Sequence, residues 1–121
     1  YQPYLWGTDE AAQAIKRYKN YLFLLVKYHE RYPSILPTAQ IDEVWHMHIL
    51  DSRRYHADCQ VLFGQYFHHP HSTLGEQPTK ASFDSVMQAC QLTSILYCAE
   101  FNELLEEPYQ EEIMRYLRAS R

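Results

Sequence analysis

The sequence has few glycines, few cysteines and no long apolar run, and each shortage excludes a class of protein. Only Gly7, Gly64 and Gly75 are present. An all-β protein with many tight turns would need more glycine, so helices are favoured. The three cysteines are odd in number and lack C-x-x-C spacing. This excludes a disulfide framework and indicates a reducing compartment such as the cytoplasm. The longest apolar run, residues 21–26, is too short to cross a bilayer.

The charge is also modest, at −4 with neutral histidines. Its short basic clusters are balanced by nearby acids, which excludes a nucleic-acid-binding surface. The sequence is instead rich in apolar residues, at 46%, and in tyrosines, of which there are eleven. That composition is typical of a folded globular protein. We therefore expect residues 1–121 to form one helical domain, either whole or cut from a longer chain.

Hydrophobic periodicity predicts the helices. The first lies between Thr8 and the proline at position 33, and the second begins at Thr38. Asp51 resembles the next cap, which starts a third helix from Ser52 to about Phe63. The first helix is expected to bury a stripe of Ile15, Tyr18, Leu22, Leu25, Val26 and His29. The third is expected to bury Tyr55, Cys59, Leu62 and Phe63.

The second half of the chain predicts a loop and further helices. Residues 64–79 hold two glycines, two prolines and three histidines, which indicates an ordered, histidine-rich loop. A fourth helix is predicted over about residues 80–105, and a short last one from Pro108. The predicted fold class is all-α, a small bundle of four to five helices.

Six of the seven histidines lie between His46 and His71, which raises the question of a metal site. Zinc takes nitrogen and sulfur ligands, usually four in a structural site. The predicted ligands are His46, His48, Cys59 and His69. Because residues two apart on a helix face roughly opposite sides, His46 and His48 could bind one ion only if the helix distorts or ends near Asp51.

Several neighbours could support or replace these ligands. Asp42 precedes His46 by four residues, on the same helix face, and could orient its imidazole. Asp58 could do the same or act as a ligand, and His68 is an alternative to His69. Tyr55 has helical core spacing beside them, and we count it among the supporting residues. Two other histidines, His56 and His71, are expected to be exposed.

The segment PTAQIDEVWHMHILDSRRYHADCQVLFGQYFHH, residues 37–69, resembles the core motif of the glycine-rich domain-containing protein-like family of bacteria and plants. After His69 this sequence departs from the family's usual turn. The resemblance implies no settled activity, although plant members are linked to development and stress responses. The positions that carry the motif are Asp42, Trp45, His46, His48, Tyr55, Asp58, Cys59 and His69, with His68 shared by bacterial-type members.

Three interpretations of function stay open on this basis. The leading one is a helical zinc-binding domain with a structural or regulatory role. The second is a metal-free interaction module, in which His46 and His48 satisfy buried polar groups and the tyrosine-rich surface binds a protein partner. The third is an enzyme dependent on Cys59, although a helix interior is a poor place for an exposed nucleophile. No catalytic residue is assigned.

Overall fold

The structure, a computed structural model, describes residues 7–32, 35–69 and 80–105, with side chains from residue 84 onward in the last range. Four α-helices follow one another in these ranges: α1 (Thr8–Tyr28), α2 (Ala39–Leu50), α3 (Ser52–Phe63) and α4 (Lys80–Phe101). No strand occurs within them. The all-α prediction is therefore confirmed.

The helix boundaries follow local chemistry. Thr38 caps α2, because its side chain accepts a hydrogen bond from the backbone nitrogen of Ile41 at 3.3 Å. Gly64 ends α3 with φ of 74°, a left-handed conformation that favours glycine. Asp51 separates α2 from α3 as predicted, but its side chain makes no capping hydrogen bond. The junction is thus set by the backbone at Asp51 and not by its carboxylate.

The core is built around large aromatic side chains contributed by all four helices. Tyr21, Trp45, Tyr55 and Tyr97 are each at most 2% exposed. Their polar atoms need partners inside the core. The hydroxyl of Tyr21, for example, donates to the carbonyl of Ile35 at 2.5 Å. Because Ile35 lies between α1 and α2, this hydrogen bond holds the segment between the two helices as well as the helices themselves.

The linker before α2 is held by a buried threonine of α4. The side chain of Thr93 accepts a hydrogen bond from the backbone nitrogen of Leu36 at 3.0 Å and donates to the carbonyl of Ala89 at 2.9 Å. Because Thr93 is fully buried, these bonds are shielded from water. The linker that leads into α2 is therefore tied to α4, while α2 itself packs against α1 and α3.

Two predicted core stripes are wrong in part. Ile15 and Val26 of α1 are 45% and 39% exposed, and Leu62 of α3 is 39% exposed. The reason is packing geometry: α1 contacts both α2 and α4, so its buried face shifts toward residues such as Leu24. α3 packs mainly against α2 and buries little beyond Tyr55 and Cys59.

The remaining predictions fall partly outside the described ranges. The histidine-rich loop is described only as far as residue 69, where residues 64–69 are irregular, and the prediction of an ordered loop is not confirmed. The last short helix from Pro108, like His71, lies outside the described residues. α4 ends at Phe101, four residues before the predicted end. None of the described helices combines the length and apolar character needed to cross a membrane.

Candidate metal centre

The centre is organised around the carboxylate of Asp42 in the first turn of α2. This side chain is 9% exposed, and each of its oxygens faces a different histidine. The Nε2 of His69 lies 2.5 Å from Oδ1, and the Nε2 of His46 lies 3.4 Å from Oδ2. The ligand atoms of the three residues lie within 4.8 Å of one another. Two ligand atoms on one ion are separated by at most twice the bond length of about 2.1 Å. The three atoms are therefore almost close enough together to share one ion.

The two histidines reach Asp42 from different parts of the chain. His46 follows Asp42 by four residues, so both lie on one face of α2. His69 comes from the irregular segment after α3, and its ring lies against Trp45 and His46, with centroid distances of 4.4 and 4.7 Å. One pair is therefore fixed by helix geometry, and the third residue depends on how the segment after α3 is held.

Tyr55 of α3 holds that segment. Its hydroxyl accepts a hydrogen bond from Nε1 of Trp45 at 3.1 Å and donates one to the carbonyl of Phe67 at 2.5 Å. Burial raises the pKa of Tyr55 well above its ordinary value, so the hydroxyl keeps the proton that it donates. Tyr55 thereby links the core tryptophan to the backbone two residues before His69.

The centre is closed on one side and open on the other. Asp42 is buried, His69 is 23% exposed and His46 is 47% exposed in its side chain. A buried carboxylate is costly unless it has hydrogen-bond donors or a cation beside it. Both kinds of partner fit here: two imidazole N–H groups, or a metal ion reached from the solvent side past His46.

His48 belongs to a separate arrangement on the other side of α2. Its Nδ1 lies 2.6 Å from the hydroxyl of Tyr18, and its Nε2 lies 2.7 Å from Oδ2 of Asp58. Burial raises the pKa of Tyr18 well above its ordinary value, so this hydroxyl stays protonated and donates to Nδ1. His48 then donates from Nε2 to Asp58, and both of its nitrogens are engaged.

The predicted ligands are thus divided between places in the fold. His46 and His69 meet at Asp42, whereas His48 lies with Asp58. Cys59 is 2% exposed and lies near Tyr55 and Tyr18, away from the Asp42 group. Since a buried thiol is closed to substrates, this position disfavours an enzyme built on Cys59.

Comparison with protein families gives the chain's relationships. A profile of the UCP032817-like family matches residues 3–106, which is most of the chain. The chain belongs to the UCP032817-like family. The resemblance to the glycine-rich domain-containing protein-like family is therefore wrong as an assignment, since a different family accounts for the same motif. No curated protein and no solved structure matches the chain.

The matched region of this UCP032817-like protein contains both histidine arrangements and all four described helices. Membership of this family implies no activity, so the side chains are the basis for a function. The motif that suggested the other family spans residues 37–69 and contains Asp42, His46 and His69 together.

Sequence reasoning missed two features of these arrangements. Asp42 was expected to orient His46 as a supporting carboxylate, yet it is the residue shared by both histidines. The four-residue spacing was the available signal, and it identified the pair but not the central role of Asp42. The contact of Tyr18 with His48 joins residues 30 positions apart and left no local signal.

His68 and His56 are placed outside both arrangements. Both are exposed, and both rings contact Tyr66, His68 edge-on at a centroid distance of 4.7 Å and His56 stacked at 6.2 Å. The prediction of an exposed His56 is therefore confirmed. Within the part of the chain that is described, His68 does not belong to the group of ligand atoms at Asp42.

Proposed function

We propose that this protein is a small helical domain that binds a divalent transition-metal ion through Asp42, His46 and His69. The observation that carries the proposal is the buried carboxylate with an imidazole Nε2 facing each oxygen. Two imidazoles and one carboxylate suit zinc and its neighbours among the transition metals better than magnesium or calcium, which prefer oxygen ligands. Zinc is the ion that we expect first.

The ligand number favours an accessible site. Three ligands leave at least one position of a tetrahedral ion for a further group. The exposed side of the site, at His46, gives that position access to solvent. Such a centre supports a regulatory or ligand-binding role more directly than a purely structural one, in which four protein ligands usually close the site. We assign no reaction to it.

His48 and Cys59 are not included in the proposed ligand set. Binding through His48 would break its hydrogen bond to Tyr18 or to Asp58, since both nitrogens are already used. Cys59 is buried beside Tyr55. Each would have to give up its present surroundings before it could reach an ion held at Asp42.

The test is zinc titration of protein purified without a nickel column and stripped with a chelator. Isothermal titration calorimetry should give one zinc per chain, and magnesium should give no heat of binding. His46→Ala should remove most of the affinity, whereas His48→Ala, the same change on the same helix, should leave it within about threefold, or about 0.7 kcal/mol. Equal losses in the two variants, or no zinc binding at all, would contradict the proposal.

A metal-free role is the second candidate, and one observation favours it. The hydrogen bond of 2.5 Å between His69 and Asp42 satisfies the buried carboxylate without an ion. Under this alternative the domain would be an interaction module that binds a protein partner. Stability separates the two candidates: free zinc at a hundredfold excess over its Kd adds about 2.7 kcal/mol to the free energy of unfolding only if the folded protein binds it.

A further inference from the structure

A groove between α1, α2 and α3 lies on the side of α2 away from Asp42. Its volume is about 610 Å³, within the range of roughly 300–1,000 Å³ that small-molecule sites occupy. His48 and Val44 of α2 line it, whereas Asp42 and His46 do not. At about 100° per residue, His48 is turned about 200° from His46, so the groove and the metal centre use different faces of one helix.

The walls of the groove are apolar side chains that the fold leaves uncovered. Ile15 of α1 and Leu62 of α3 line it and are 45% and 39% exposed, although their helical periodicity is that of core residues. Met47 and Val61, which are 37% and 85% exposed, extend the same surface. Exposed apolar residues that form one concave surface indicate a binding site more strongly than residues scattered singly.

One polar group at the wall, the carboxylate of Asp58, already accepts a hydrogen bond. Tyr18 donates to His48, and His48 donates to Asp58, so the carboxylate of Asp58 has a partner. This chain of hydrogen bonds fixes the orientation of the His48 ring beside the apolar surface. A ligand therefore meets a preformed wall here and not a free acid.

The remaining charges at the groove favour an anion. Lys19 of α1 and Arg54 of α3 line it, and neither forms an ion pair or hydrogen bond with any other residue of the chain that the structure describes. Asp51 also lines the groove, where it ends α2 and begins α3, so the two helix dipoles oppose each other there and its carboxylate counts against the two cations. Among the described residues, the charged side chains of the groove without a side-chain partner are thus two cations and one acid, which leaves an excess of positive charge beside the apolar surface.

We infer that the groove binds an amphipathic carboxylate, a small molecule with an apolar chain or ring and a single acidic head group. The apolar part would lie between Ile15 and Leu62, and the carboxylate would pair with Lys19 and Arg54. The inference is independent of the metal centre, because none of its residues is a proposed metal ligand.

Calorimetry with three probes that share a ten-carbon chain tests it: decanoate and decyltrimethylammonium below the concentrations at which they form micelles, and decanol below its solubility limit. Decanoate should bind saturably at one site per chain, and the other two at least about tenfold more weakly. The double variant Lys19→Glu, Arg54→Glu should weaken decanoate at least about tenfold, or about 1.4 kcal/mol, and should strengthen the ammonium probe.

A filling variant locates the site. Ile15→Trp should weaken decanoate at least about tenfold, and Leu62→Trp serves if the first variant does not fold. Ile95→Trp, at a position on α4 that is 63% exposed and outside the groove, is the matched control and should change nothing. Asp42→Asn should also leave decanoate binding unchanged, which separates this result from the metal proposal. Absence of saturable binding, tighter binding of the ammonium probe, or insensitivity to both filling variants would overturn the inference.

Discussion

The two carboxylate–histidine arrangements at α2 differ in which group is the more buried, the acid or the histidine. At the candidate metal centre a buried carboxylate, Asp42, is shared by two histidines that are more exposed than it is. At the groove an exposed carboxylate, Asp58, meets a single histidine that is more buried, with side-chain exposures of 45% and 16%. The same residue types therefore place the acid deeper in one case and the histidine deeper in the other.

This difference underlies our proposal that the Asp42 arrangement, and not the Asp58 one, binds a metal ion. His48 uses one nitrogen for Tyr18 and the other for Asp58, so metal binding would cost it a good hydrogen bond. At Asp42 the two Nε2 atoms point to one buried carboxylate, and an ion can replace their protons while keeping that carboxylate compensated. Burial of the acid, and not the number of histidines, distinguishes the candidate metal centre.

The largest expected difference is in zinc affinity, when each of the two carboxylates is neutralised in turn. Asp42→Asn should lower zinc affinity by at least about 100-fold, or about 2.7 kcal/mol, because a charged ligand is lost at a buried site. Asp58→Asn is the matched control and should lower it by less than about threefold. Competition calorimetry against a chelator of known affinity measures both. Similar losses in the two variants would show that the arrangements are not distinct.

The next largest losses, in stability and in zinc affinity, are expected at Tyr55, the tyrosine that holds the segment carrying His69. Tyr55→Phe should lower the free energy of unfolding by about 3 kcal/mol, since it leaves the buried Nε1 of Trp45 and the carbonyl of Phe67 without their partner. It should also weaken zinc binding by about tenfold, because the segment that carries His69 is loosened. Urea denaturation and zinc titration of the same sample measure the two losses.

Tyr18→Phe is the matched change at the groove, and its effect should be smaller. It removes one hydrogen bond, to a histidine that water can partly reach, and we expect a loss of about 1 kcal/mol. Zinc affinity should stay within about twofold. A large loss of zinc affinity in Tyr18→Phe would mean that the two faces of α2 are coupled.

The sequence was sufficient for most of the fold, because helix boundaries leave local signals. Thr38 and Gly64 mark helix ends by side-chain capping and by a left-handed backbone, and both are visible in one sequence. The buried face of α1 was less predictable. Ile15 fits the core periodicity, but which side of a helix is covered depends on where its neighbours pack.

The candidate site could be predicted in composition but not in grouping. The spacing indicated that His46 and His48 face different sides of a helix, and it indicated the pairing of Asp42 with His46. It argued against His48 as the partner in a regular helix, but it did not show that His69 reaches Asp42, because that depends on the contact of Tyr55 with a distant segment. Long-range hydrogen bonds therefore determine which histidine joins Asp42 and His46, and short-range sequence patterns do not show it.

The smallest effect is expected at the exposed histidine next to the candidate metal centre. His68 neighbours His69 in sequence, but its exposed ring lies edge-on to Tyr66. His68→Ala should leave zinc affinity within about twofold and the free energy of unfolding within about 0.5 kcal/mol, as is usual for surface substitutions. His69→Ala, one residue along, should lose most of the zinc affinity. Calorimetry of the two variants compares their zinc affinities. Equal losses in His68→Ala and His69→Ala would mean that any histidine in this segment can serve, and that the position of His69 beside Asp42 is not what makes the site.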